Sequence, residues 1–150
     1  MTRCLWNPYS GSAMNIGDVI YNPDFVFTDG GHADKIFIII SDATLSKIVM
    51  VMVTSKGKDA KNKGCQPKPK KYLFKQNECG FKKDTWIDLS RSIYAWDTDK
   101  VQASLDSQKT KLLGTIPEQR VNEIRNCLTK HAIESLNKEA CELLGVKPKW

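Results

Sequence analysis

The chain has 150 residues, 41% hydrophobic and 27% charged, with 23 Lys and Arg against 17 Asp and Glu for a formal charge of +6. A chain of this length buries about 68–70% of its unfolded surface, whereas two halves would each be marginal, so one domain spanning 1–150 is expected. The longest strongly apolar run, residues 36–40, is far short of the roughly 18 residues of a membrane span, and residues 1–8 lack the apolar stretch of a secretory leader, so a cytoplasmic protein is expected.

In chain order, residues 17–21 form a short apolar run closed by Asn22-Pro23-Asp24, and Phe25-Val26-Phe27 precedes a turn signal at Thr28-Asp29-Gly30-Gly31. Residues 35–41 (KIFIIIS) and 47–55 (KIVMVMVTS) follow. Both are rich in β-branched residues and too unbroken to be amphipathic, which predicts central strands buried on both faces or wrapped into a small barrel. Residues 56–70 then combine lysines with Gly57, Gly64, Pro67 and Pro69, a composition that predicts a long loop. Residues 71–75 and 86–96 read as two further strands. The period changes after that. Thr98, Val101 and Leu105 suit a short helix within residues 97–111, though the pattern there is weak. Thr115-Ile116-Pro117-Glu118 fits a capping box with Thr115 as N-cap. Val121, Ile124, Leu128, Ala132, Leu136, Ala140 and Leu144 recur at three- or four-residue steps toward a Gly145 C-cap, predicting one long amphipathic helix or a tandem pair over about 117–145. The class is α+β, mostly β, with a C-terminal helix or helix pair.

The charge is concentrated. Residues 56–83 hold ten lysines against Asp59 and Glu78, a balance of +8, which leaves the rest of the chain slightly acidic. With Tyr72, Phe74, Phe81 and Trp86 nearby, this stretch suits single-stranded nucleic acid, where ammonium groups meet phosphates and rings stack on bases. A solvated loop whose aromatics turn into the core is the competing reading. The five cysteines, Cys4, Cys65, Cys79, Cys127 and Cys141, are odd in number and contain no C-x-x-C pair. They predict neither a disulfide framework nor a metal centre, and Cys127 and Cys141 read as small hydrophobes in helices.

No hydrolase elbow, zincin, P-loop or dinucleotide fingerprint is present. His131 lies in the helical pattern, whereas His32 follows Gly30-Gly31 in a turn leading into a central strand, where catalytic groups often sit.

More specific is the order of the pieces. Gly17-Asp18-Val19-Ile20 opens, and a basic residue starts an aliphatic strand that ends in Ser (residues 35–41). The next strand closes Val53-Thr54-Ser55, Asp88-Leu89-Ser90-Arg91-Ser92-Ile93 follows, and Leu113-Gly114-Thr115-Ile116 leads into a helix. Over roughly residues 16–130 this resembles the MazF/PemK (Kid) toxins of type II toxin–antitoxin systems. The resemblance implies a small SH3-like barrel, a homodimer neutralised by an antitoxin protein, and a metal-independent endoribonuclease without cofactor that cleaves single-stranded RNA. Attack by the 2′-hydroxyl would leave a 2′,3′-cyclic phosphate. It also implies catalytic residues among Lys35, Thr54, Ser55, Asp88, Arg91 and His32. The lysine loop, with Lys56, Lys58, Lys61 and Lys63, would track the RNA, and Trp86 would be either core or a base platform. Two positions depart from the family pattern: Lys35 stands where members carry arginine, keeping the charge but losing the bidentate fork, and Trp86 stands where some carry another arginine. A non-catalytic module binding nucleic acid or protein on the same barrel is the alternative.

Overall fold

The two β-branched runs set the centre of the fold. In the computed structural model, which describes residues 14–27, 29–55, 64–66, 71–76, 78–90 and 93–147, they form β2 (His32–Ile39) and β3 (Lys47–Thr54). Around them lie β1 (Asp18–Val26), β4 (Gly64–Gln66), β5 (Lys71–Phe74), β6 (Thr85–Asp88), β7 (Ile93–Asp97) and β8 (Lys111–Thr115). The sheet runs β4-β5-β6-β3-β2-β1-β8, with β7 also on β3. Every ladder is antiparallel. The helices are α1 (Thr98–Asp106), α2 (Glu118–His131) and α3 (Lys138–Leu144), so the class is α+β and the C-terminal element is a helix pair. None of the described helices is long and apolar enough to cross a membrane.

Because strand side chains alternate between faces, an unbroken apolar run can bury both. Val49, Val51 and Val53 of β3 join one apolar cluster with Val19, Ile38, Tyr72, Ile87 and the inner sides of α2 and α3. Ile48 and Met50 join a second with Ile20, Phe37, Ile39 and Val101 of α1. Helix α2 turns Val121, Ile124, Cys127 and Leu128 inward at the spacing of an amphipathic helix. Burying a side chain such as Ile124 or Leu128 completely contributes about 1.5–3 kcal/mol.

Several local expectations change. Residues 86–96 are two strands, because Asp88 accepts hydrogen bonds from both the backbone N–H and the hydroxyl of Ser90 and turns the chain. As a result β6 pairs with the end of β3 at Val53 and Thr54, and β7 pairs with Lys47 to Val51. Asn22-Pro23-Asp24 does not close β1: the register shifts between Asn22 and Phe25, a bulge that accommodates the missing proline N–H. Residues 64–66 of the expected lysine loop form β4, a short edge strand on β5, and residues 56–63 and 67–70 lie outside the described residues. Thr115 is no N-cap. It ends β8 and donates its hydroxyl to Asp18, and α2 begins after Pro117 without a side-chain cap. The helical stretch breaks at a 3-10 turn over Ile133–Ser135, and Asn137 caps α3 by accepting from the Ala140 N–H at 2.8 Å. Gly145 does end α3, at φ 70°.

The cysteine expectation is overturned. Cys65 of β4 and Cys127 of α2 form a disulfide with Cα atoms 5.6 Å apart, Cys79 is also disulfide-bonded, and Cys141 is a buried free thiol. Sequence spacing could not show this, because the pairing depends on how β4 crosses α2. Disulfides are rare in cytosolic proteins, so these bonds weigh against the cytoplasmic expectation. The bridge closes a loop of 62 residues, and reduction is expected to lower unfolding stability by about 2–4 kcal/mol. Urea unfolding with and without dithiothreitol measures this, and identical midpoints would contradict it.

Asp18 is 1% exposed and accepts from the Asn15 N–H and the Thr115 hydroxyl, both at 2.8 Å. Burial raises its carboxyl above the ordinary value of 3.8, with the hydrogen bonds to Asn15 and Thr115 pulling the other way. The folded state therefore holds this proton more tightly than the unfolded state. The group's contribution is fully present below about pH 4 and is lost as pH rises through the folded value. In Asp18→Asn the side-chain oxygen still accepts from Asn15, its amide can donate to Thr115, and the titration disappears. Relative to wild type, the variant should gain stability between pH 4 and pH 7 in urea unfolding; a relative loss over that range contradicts the assignment.

Candidate active site and nucleic-acid interface

Directly paired residues in an antiparallel sheet share a face, so register shows which side chains meet. Lys35 of β2 pairs with Asn22, Ile36 with Val53, and Thr54 with Trp86. Extending the β2–β3 register by one residue sets Lys35 opposite Thr54. Lys35, Thr54 and Trp86 therefore form one row across three neighbouring strands, on the face opposite Ile36 and Val53. Asp88, two residues beyond Trp86, shares that face. Strand spacing and rise put its Cα about 12 Å from that of Lys35.

The Lys35 ammonium lies 5.7 Å from the centroid of Phe27, on the edge of an aromatic cluster of Phe25, Phe37, Tyr94 and Trp96. Its alkyl stem is half-buried, and it makes no ion pair among the described residues. Trp86 is 4% exposed, with the Lys71 ammonium 5.5 Å from its ring centroid, so a base reaching it would first have to displace Lys71.

A cleft of about 680 Å³ opens at this end of the sheet. Its lining draws on both faces of the sheet at the strand ends: Lys35 and Thr54 from the row above, Tyr21, Asp34 and an apolar base that includes Ile36 and Val53 from the other face, and Ser55 just beyond Thr54. Tyr21 donates a long hydrogen bond, 3.4 Å, to the exposed carboxylate of Asp34. The turn from Gly80 to Lys83 forms the opposite wall.

Other expected residues lie elsewhere. Asp88 does not line the cleft; its carboxylate holds Ser90. His32 stands in the β1–β2 hairpin with Nδ1 2.7 Å from Asp24, both side chains well exposed, and outside the cleft lining. Arg91, Lys56, Lys58, Lys61 and Lys63 lie outside the described residues. Among the described residues no group of three His, Cys, Asp or Glu could hold a metal ion.

Four cleft residues were not singled out by sequence reading: Tyr21, Asp34, Lys82 and Lys83. Lys82 and Lys83 were counted in the basic stretch, but nothing in their spacing separates them from its other lysines.

A solved structure shares this arrangement of strands and helices. It is the crystal structure of MazE-MazF (Form-III) from Deinococcus radiodurans, matched with TM-score 0.50 over 91% of this chain and 100% of that chain. Sequence identity is 13%, so the likeness is one of fold. No protein-family model and no curated protein matches the chain.

Proposed function

We propose that the chain is a MazF/PemK-like toxin: a metal-independent endoribonuclease that cuts single-stranded RNA by 2′-hydroxyl attack. The observation that carries this reading is that Lys35, Thr54 and Ser55 of two adjacent strands all border one cleft at the strand ends, Lys35 and Thr54 from the face of the sheet opposite Asp34. The shared fold with the MazE-MazF structure is consistent with it. That structure's pairing of MazF with a second protein also favours an antitoxin partner for this chain, and the dimer the family resemblance implies is part of the proposal.

The chemistry needs a proton acceptor, a proton donor and compensation of the charge that builds on phosphorus. Asp34, the carboxylate lining the cleft, takes the 2′-hydroxyl proton. The oxygen so freed attacks phosphorus, and the bond to the 5′-oxygen breaks. Ser55, at the strand end, meets the phosphorane charge through its hydroxyl, and Lys35 and Thr54, on the face of the sheet opposite Asp34, reach the phosphorus round the strand end, Lys35 giving a proton to the departing 5′-oxygen. The products are a 2′,3′-cyclic phosphate and a 5′-hydroxyl. Asp88, about 12 Å from Lys35 across the sheet, suits a contact to a neighbouring nucleotide better than proton transfer at the same phosphorus.

Incubating the purified protein with RNA of varied sequence in EDTA should yield discrete fragments ending in cyclic phosphate. Intact RNA bound with steep salt dependence would instead identify a non-catalytic binding module.

A further inference from the structure

The wall of the cleft facing β2 and β3 is a turn whose sequence alternates packing and charge: Gly80-Phe81-Lys82-Lys83. Phe81 is 6% exposed and lies 5.1 Å, centroid to centroid, from Phe74, so it pins the turn to the core. Lys82 and Lys83 beside it are exposed.

The segment around this turn is tied down at several points. Glu78 accepts the Lys75 N–H through one carboxylate oxygen and Arg120 of α2 through the other, at 2.7 Å. Cys79 and Gly80 have φ of 50° and 77°, a left-handed pair that reverses the chain just before Phe81. On the far side, Asp84 accepts the Gln76 N–H at 2.8 Å and lies 3.6 Å from the Lys75 ammonium, and the Thr85 hydroxyl donates to the Lys83 carbonyl. The acidic groups flanking the turn are therefore engaged by other residues. Lys82 and Lys83 make no ion pair among the described residues. The cleft lining includes these two lysines and Lys35 against one carboxylate residue, Asp34, with the Lys35 ammonium itself 5.7 Å from the Phe27 ring centroid.

We propose that the Gly80–Lys83 turn is a preorganised phosphate-binding element that holds the backbone of a single-stranded nucleic acid across the cleft, with Lys82 and Lys83 on neighbouring phosphates. This rests on the reading of the cleft as an RNA site and adds the residues that grip the strand. Ordering a long lysine side chain opposes binding, but here the backbone carrying it is already fixed, so only rotamer freedom is lost. A nucleic acid fits better than an acidic peptide because the cleft joins cations and hydroxyls at its edges to an apolar base of Ile36, Val53, Phe81 and Leu113. That surface can take a ribose or base face while the phosphates stay at the charged edges.

The test uses a short, labelled single-stranded oligodeoxynucleotide, which lacks the 2′-hydroxyl and so reads binding without cleavage. Each single-strand phosphate contact contributes about 0.7 to the slope of log affinity against log salt. Lys82→Gln/Lys83→Gln should therefore flatten the slope by about 1.4, whereas Lys130→Gln/Lys138→Gln, which removes two exposed charges from α2 and α3, should leave it unchanged. All four lysines are exposed, so both double variants keep the fold. A wild-type slope in the Lys82/Lys83 variant would overturn the proposal. So would an equal loss in the control pair, or a dependence on these lysines seen with poly-glutamate and not with the oligonucleotide. Flattened binding without any RNA cutting would leave this element standing and remove the catalytic reading; RNA cutting with an unchanged slope would do the reverse.

Discussion

Lys35→Ala is expected to lower RNA cleavage by about 10²–10³-fold, the loss usual when one preorganised group facing the developing charge is removed. Lys35 extends from a central strand bonded on both sides, so its Cα is fixed, and its ammonium lies 5.7 Å from the Phe27 ring centroid. Alanine removes the charge and part of the stem's packing, and the two effects separate in the measurement. Unfolding midpoints report the packing, and single-turnover cleavage reports the chemistry. Lys35→Arg keeps the charge and adds a planar, bidentate fork, and should keep or raise the rate. If Lys35→Ala cuts RNA as fast as wild type, the row formed by Lys35 and Thr54 is not the reacting centre.

The second large effect concerns stability. Arg120 is 16% exposed, donates through Nε to the Tyr72 hydroxyl at 2.7 Å and through a terminal nitrogen to Glu78 at 2.7 Å, and lies 4.6 Å from the Phe74 ring centroid. Tyr72 in turn donates to Glu123 at 2.7 Å. Burial alone would lower the Arg120 pKa, but the bonds to Glu78 and Tyr72 outweigh it and the value rises. Burial and then the bond to Glu123 hold the Tyr72 phenol far above its ordinary value, so it stays protonated and able to donate. Arg120→Ala would remove the guanidinium from Glu78, 22% exposed, and the hydrogen bond that Tyr72 accepts. A loss of about 3–5 kcal/mol is expected in urea unfolding, the range for breaking one side of a largely buried pair. Arg120→Met combined with Glu78→Gln should recover part of it, because no charge then remains at either position. A loss below about 1 kcal/mol for Arg120→Ala would show that the pair behaves as a surface contact. Arg120 also anchors the segment that leads into Lys82 and Lys83, so the same substitution should weaken binding of single strands.

Much of the scaffold was legible from local pattern. The β-branched runs of β2 and β3 could only be buried strands, and the three-and-four spacing after Pro117 could only be helical. Both are properties of a few consecutive residues. The errors share a different cause. Pro23 read as a terminator because a bulge exists only once β2 lies alongside β1. Thr115 read as a cap because its hydroxyl's true acceptor, Asp18, is 97 residues away. The split at Asp88 was the exception, since an Asp two residues before a Ser is a local turn signal that the strand reading passed over.

The candidate site divides in the same way. Lys35, Thr54 and Ser55 were reached through the resemblance to the MazF/PemK toxins, whose short motifs are legible in consecutive residues. Lys82, Lys83 and Asp34 were not, because a cleft wall is defined by what stands across from it. Likewise Cys65 and Cys127 carried no sign of their partnership, which arises where an edge strand passes a helix.

By itself the sequence determined the two central strands, the helical C-terminal stretch and that the positive charge is local, because propensity, periodicity and charge are properties of neighbours in the chain. Only the tertiary structure decided which strands lie side by side, which cysteines bond, and which few lysines of a basic stretch face a cleft. Those are distances between residues far apart in sequence, set by the register of the sheet and the packing of α2 against it.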